Sequence, residues 1–256
     1  PALILAAISI IKKRKLSPEF IRREREKAWF ALLIGFISLG AAYGLDKRYE
    51  LKSDLYPANV CYNVALAFQR NAQTRMYHRT SENFTFNARP SHSEDRREIY
   101  IMVVGETSRA LNWSLYDYDR DTNPELSKIE GVTSFCHVLT ESNTTHKSVP
   151  MLLSPVSAQN FDSIYYRKSI ITAFKEAGFQ TAFFSNQRYN HSFIDFFGME
   201  ADTYDFIKED SQDSQYNPSD DDLLMLVEKE LEKGNRKQFI VLHTYGSHFN
   251  YRERYP

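Results

Sequence analysis

Residues 28–45, AWFALLIGFISLGAAYGL, form an uninterrupted run of 18 residues without a charge. A helix that crosses the hydrocarbon core of a bilayer needs roughly 17–25 such residues, and the run exceeds the usual apolar core of a secretory leader. Trp29 and Tyr43 stand near its two ends, where interfacial aromatics collect. Residues 1–11, PALILAAISII, read as the tail of another span. Between the two, residues 12–27 carry eight Lys or Arg against three Glu. Basic residues concentrate on the cytoplasmic side of a membrane, so this loop is expected inside and everything after Leu45 outside. A buried helical hairpin in a soluble protein is the competing reading, and the flanking charges speak against it.

The chain of 256 residues has room for such an anchor plus one α/β domain. Its net charge of −1 lacks the basic excess of a nucleic-acid binder, so no nucleic-acid partner is expected. The two cysteines, Cys61 and Cys136, give neither a disulfide framework nor a zinc cluster, and pairing and non-pairing both stay open. Asn-x-Ser/Thr sequons at Asn83, Asn112, Asn143 and Asn190 are too common a pattern to carry weight. The chain opens at Pro1 inside an apolar run and closes on YRERYP, and it reads as part of something longer at both ends.

Residues 46–97 read as a connector. Val60, Val64, Leu66, Ala67 and Phe68 give a ragged amphipathic pattern, suited to a membrane surface or to packing on the domain C-terminal to it. TSENFTFNARPSHSEDRRE is a linker by composition. From residue 98 onward, strand and helix signals alternate. Apolar, β-branched and aromatic runs at 99–104, 181–185 and 239–243 read as strands. Helices are expected over 166–177, stopped by Gly178, and over 220–233, started by Ser219 and stopped by Gly234. This alternation implies a parallel sheet sandwiched by helices, an α/β fold. Ligands in such sheets collect outside the carboxyl ends of the strands. The three strands run into GETSR, SNQRYNH and HTYGSH, so Glu106, Asn186 and His248 are expected at one edge of the sheet. The acidic stretch EDSQDSQYNPSDDD reads as a solvated surface turn.

VVGETSRALNWSLYDYDRDTNP resembles the phosphoethanolamine transferases of Gram-negative inner membranes, in the alkaline phosphatase/sulfatase superfamily. The family's first catalytic strand ends in a G-E-[ST] turn followed by Y-x-Y-x-R-x-T-x-P, here Tyr116, Tyr118, Arg120, Thr122 and Pro124. TESNTTHKSVPMLLS matches the nucleophile region, with Thr145 shortly before Ser148-Val149-Pro150. HTYGSHFNYRERYP matches the family's H-x4-H-x5-[RK]-Y-P stretch. The resemblance covers nearly all of residues 99–256 and fits a membrane helix with a basic inner segment.

The resemblance implies an alkaline phosphatase/sulfatase-like catalytic domain over residues 98–256, incomplete in this chain, on membrane segments at 1–45. Glu106 matches a zinc-ligating carboxylate. Thr145 matches the nucleophile, also a zinc ligand, and an N-cap role for it is compatible with that. His248 matches a histidine that contacts the substrate phosphate or a second metal, whereas His243 reads as structural. His191 stands where relatives have a phosphate-holding lysine, and Asn186 joins it as a substrate-binding residue. The remaining zinc ligands, an Asp-His pair in the family, are expected downstream of Pro256, so this chain alone should be inactive. Glu141 and Met151 occupy places where relatives carry bracing cysteines. The implied reaction moves phosphoethanolamine from phosphatidylethanolamine to lipid A or a lipopolysaccharide core sugar through a phosphothreonine-type intermediate. The implied location is the bacterial inner membrane, with the catalytic domain in the periplasm. A phosphoglycerol transferase or phosphodiesterase of the same fold, and a non-catalytic membrane-anchored binding domain, stay open as alternatives.

Overall fold

The computed structural model describes residues 17–45, 50–92, 95–208, 218–246 and His248. The second apolar run expected at 1–11 and the closing RYP lie outside the described residues. The chain divides into two compact units, Pro1–Ala72 and Gln73–Pro256.

In the first unit, helix α1 (Pro18–Leu45) is long and apolar enough to cross a membrane by length and composition. It starts ten residues before the apolar run, inside the basic segment expected to be a loop. The reason is local. Ser17 Oγ accepts the Phe20 N–H at 3.2 Å, with Pro18 next to it in the first helical position. Arg22–Glu26 at 3.0 Å and Lys27–Glu24 at 2.7 Å then pair the charges one turn apart. Helix α2 (Ala58–Arg75) leaves Val60, Val64 and Phe68 exposed at four-residue spacing. Cys61 and Cys136 are both exposed free thiols.

The second unit is built on a four-stranded parallel sheet in the order β1 (Glu98–Val104), β4 (Lys237–His243), β2 (Gln180–Ser185), β3 (Thr203–Phe206). All three strands read from the sequence are present and mutually parallel. β3, TYDF, was not legible because it is short and half polar. β4 and β2 are buried on both faces, and their alternate residues supply two separate cores. Phe183, Phe239 and Val241 pack under helices α3 (Thr145–Leu153), α4 (Ile170–Glu176) and α5 (Phe193–Gly198), through Leu153, Ile171 and Phe197. Ala182, Phe184, Ile240 and Leu242 pack under α6 (Asp222–Glu232), through Leu223 and Val227. β1 departs from expectation. Among the described residues it pairs on one side only, with β4, and it leaves Tyr100, Ile101 and Val103 exposed.

Helix ends follow the glycine signals. α4 stops in a paired turn, Gly178 N–H to Lys175 C=O and Phe179 N–H to Phe174 C=O, with Gly178 at φ +84°. The Phe174 and Phe179 rings close that turn edge to face, centroids 5.0 Å apart. Its start is later than expected, at Ile170, because the Ser169 hydroxyl caps Ile171 N–H and residues 158–166 coil more tightly. α6 begins at Asp222 with Asp221 as its capping position, two residues beyond the expected start at residue 220. The polar segment after residue 80 is not a free linker. Tyr77 is 2% exposed in the core, and the Phe86 and Ala88 N–H groups both donate to the Glu176 carboxylate at 3.0 Å.

Candidate active site at the carboxyl ends of the strands

β1 delivers Glu106 one residue past Gly105, where the chain leaves the sheet. Thr107 turns it sharply, at φ +51°, and donates its hydroxyl to Glu106 Oε1 at 2.8 Å. The other carboxylate oxygen, Oε2, accepts the Thr145 hydroxyl at 2.8 Å. Thr145 is the first residue of α3, and Thr144, in extended geometry, holds the N-cap position. The N-cap expected at Thr145 therefore falls one residue earlier, and the Thr145 hydroxyl is turned to Glu106. The loop after Glu106 folds back on itself through Thr122, whose hydroxyl donates to Asn112 C=O at 2.7 Å and accepts Ser114 N–H at 3.0 Å. The Glu141 carboxylate accepts the Ala158 N–H and ties the loop before α3 to the chain beyond it.

β4 delivers the second half. Thr244 N–H donates to Val104 C=O at 3.0 Å, continuing the ladder one step past the strand. Gly246 then passes directly against Glu106, at φ +49°. A methyl group there would sit 2.6 Å from the Glu106 carbonyl oxygen and 3.2 Å from its amide nitrogen. The Tyr245 ring stacks on His248, centroids 5.0 Å apart and planes 12° apart, and Lys208 Nζ lies 3.4 Å from the Tyr245 ring centroid. Glu106, Thr145, His146, Arg188, His243 and His248 are among the residues enclosing a cavity of about 460 Å³.

His243, 1% exposed, is part of this wall as well as of the core. Its Nδ1 lies 3.3 Å from Ser185 Oγ, and its Nε2 has no hydrogen-bonding partner among the described residues. Burial lowers its pKa to about 4, against the opposing pull of the Glu106 and Asp220 carboxylates, so the ring is neutral at neutral pH. The folded value lies below the ordinary 6.5 of the unfolded chain. The unfolded state then binds more protons between the two values, and stability rises with pH across that window. Acidifying from pH 7 towards 4 is expected to remove roughly 3 kcal/mol through this one ring. Urea midpoints of the full-length protein at about pH 4.5 and 7, compared with His243→Gln, check this. The variant should show a flatter slope, and an unchanged slope would assign the acid sensitivity elsewhere.

Of the residues singled out in the sequence, Glu106, Thr145 and His248 come together around the cavity. Asn186 lies just behind it. It is 1% exposed, and its Nδ2 donates to Asp220 Oδ1 at 2.9 Å and to Pro218 C=O at 3.2 Å. His191, at φ +61°, is exposed and edge-on to Tyr189, while its neighbours Asn190 and Ser192 line the cavity. Asp220 and Gly246 were missed. Asp220 sits in the stretch read as a solvated turn, yet its Oδ1 accepts Tyr245 N–H at 2.7 Å and its Oδ2 accepts Gly246 N–H at 2.8 Å.

Two oxygens, Glu106 Oε2 and Thr145 Oγ1, converge at 2.8 Å. They fit two positions of a tetrahedral zinc site, which takes carboxylate oxygen readily. Among the described residues no group of three or more His, Cys, Asp or Glu completes such a site.

Residues 98–256 match the Sulfatase family, and the chain belongs to it. Within that family it is similar to phosphoethanolamine transferases. It is 27% identical to CptA of Salmonella typhimurium over 172 residues, 64% of this chain and 30% of that protein. It is 25% identical to EptC of Escherichia coli K12 over 278 aligned residues, 100% of this chain and 48% of that protein. The chain thus spans less than half the length of these relatives. Among solved structures, the C-terminal periplasmic domain of Escherichia coli EptC in complex with Zn superposes with TM-score 0.59 at 23% identity, over 66% of this chain and 50% of that one. The integral membrane lipooligosaccharide phosphoethanolamine transferase A of Neisseria meningitidis does so with TM-score 0.68 at 19% identity, over 99% and 49%. At these identities the likeness is one of fold, the alkaline phosphatase/sulfatase-like parallel sheet with its helices.

Proposed function

We propose that this chain is part of a membrane-anchored phosphoethanolamine transferase that moves the headgroup of phosphatidylethanolamine to lipid A or a lipopolysaccharide core sugar. The observation that carries the reading is the Thr145 hydroxyl, 2.8 Å from Glu106 at the carboxyl end of a parallel sheet and facing a cavity. Because its O–H is directed at Glu106 Oε2, the oxygen lone pairs are left for an incoming phosphorus. Attack forms the Thr145 Oγ1–P bond and breaks the P–O bond to diacylglycerol. The hydroxyl proton moves along its bond to Glu106 and on to water, and the diacylglycerol oxygen, leaving on the opposite side of phosphorus, takes its proton from water. Phosphoethanolamine is then esterified to Thr145, and the acceptor hydroxyl displaces it in a second in-line step that restores the free threonine. Thr145 opens α3, and the amino-terminal end of a helix is the kind of environment that suits a phosphoryl group. His248, held against Tyr245, contacts the phosphate, and His191 meets the headgroup at the outer rim.

Zinc held by Glu106 and Thr145, with further ligands from outside the described residues, would supply positive charge for the threonine oxygen and the phosphoryl group. The basic start of α1 lies in the cytoplasm and the second unit in the periplasm, where both lipids present their headgroups. The test is an assay of the full-length protein with headgroup-labelled phosphatidylethanolamine and lipid A in mixed micelles. Label on the glycolipid with stoichiometric diacylglycerol is the expected result. Label released only to water would make the protein a phosphodiesterase, and no release from a folded, zinc-loaded protein would leave a binding domain.

A further inference from the structure

We propose that Asp220 is a positioning residue of this site, holding the loop after β4 so that Gly246 and His248 keep Glu106 in register with Thr145. The inference rests on the reading of Thr145 and Glu106 as the transfer site.

The geometry runs through three bonds to one side chain. Asp220 Oδ1 accepts Tyr245 N–H at 2.7 Å and Asn186 Nδ2 at 2.9 Å, and Oδ2 accepts Gly246 N–H at 2.8 Å. One carboxylate thereby satisfies two consecutive backbone donors of the loop leaving β4 and fixes them to the end of β2 through Asn186. Bonds from backbone N–H to an ionised carboxylate are short and strong. Both loop residues it grips touch the site. Gly246 lies against the Glu106 backbone with no room for a methyl, and the Tyr245 ring stacks on His248. A second clasp holds the start of the same loop, with Gln187 Nε2 donating to Thr244 C=O at 3.0 Å and Asn186 N–H to His243 C=O at 2.9 Å. Asp221, next in the chain, is exposed at the start of α6, so the role belongs to one carboxylate and not to the acidic run.

Asp220→Asn is the informative change, because an amide offers one acceptor oxygen for donors that now occupy two. One N–H of the loop is left facing an NH₂ group or loses its partner. In the full-length protein, kcat for headgroup transfer is expected to fall about 10–100-fold, as when a partner behind a reacting group is lost, with KM within about threefold. Asp221→Asn makes the same charge change one residue on and is expected to leave both constants alone. Amide hydrogen exchange supplies a readout independent of activity. Asp220→Asn should accelerate exchange at Tyr245 and Gly246 while the β2 and β4 amides keep wild-type protection. Accelerated exchange with unchanged kcat would overturn the positioning role and leave the transfer reading standing. Unchanged exchange at 245–246 would overturn it on structural grounds. An equal fall in kcat for Asp221→Asn would overturn it in favour of bulk charge. Wild-type protein without transfer would refute the transfer reading and, with it, this role.

Discussion

Thr145→Ala is expected to lower headgroup transfer by about four orders of magnitude or more, the scale on which removal of a nucleophile acts. Folding should survive. Thr145 is not the capping residue of α3, and its hydroxyl donates to Glu106. Even loss of a true helix cap costs only about 0.5–2 kcal/mol, which changes stability and leaves chemistry in place. The contrast with Thr144→Ala makes the effect specific. Thr144 holds the cap position without a side-chain cap bond, and its hydroxyl lies 3.2 Å from that of Ser142. That variant should keep most of its activity. Thr145→Ser retains the reacting oxygen and should keep part of it. Rates for the three variants, measured with circular dichroism spectra to confirm folding, distinguish a nucleophile from a structural threonine. Near-wild-type transfer in Thr145→Ala would remove the proposed nucleophile.

Gly246→Ala carries the second largest effect, for a different reason. At φ +49° a side chain strains the backbone, at about 1–3 kcal/mol. The added methyl would also meet the Glu106 carbonyl oxygen at 2.6 Å. Neither partner yields easily. Glu106 follows closely on β1, the loop is tied to Val104 by Thr244, and Gly246 N–H is held by Asp220. The loop or Glu106 must shift by a good fraction of an ångström, and displacement of reacting groups on that scale can cost about 10²-fold in rate. A fall of that size in kcat, with a modest loss of stability, is expected. Gly178→Ala is the control. Gly178 has φ +84° but open space around its Cβ direction, so it should lose stability alone. Equal activity losses in the two would show that strain, and not the contact with Glu106, is responsible.

The sheet was legible because its central strands are continuous apolar runs, which parallel strands covered on both faces require. The edges were less so. β3 has only four residues and exposes Tyr204, and β1 looks buried in sequence yet lies open on one side. The helical start of α1 was written in Ser17-Pro18-Glu19, but the charge density around it read as loop. In the site, Glu106 and His248 could be placed from the polar clusters that follow apolar strands, and Thr145 was singled out through the resemblance of its motif to the phosphoethanolamine transferases. Asp220 has no such mark. It is one of three consecutive aspartates after a polar run, and only the fold singles it out by bringing Tyr245 and Gly246 to its oxygens. The neutral state of His243 is likewise a property of burial that no local pattern encodes.

The most direct test is to trap the covalent species. Full-length protein is incubated with phosphatidylethanolamine in the absence of acceptor, quenched in acid, digested and mapped by mass spectrometry. A phosphoethanolamine ester on Thr145, discharged when lipid A is added and missing from Thr145→Ala, is the expected outcome. Transfer that proceeds with the modification on another residue, or with no modified residue under conditions of single turnover, would contradict the assignment of this cavity and its threonine as the reacting centre.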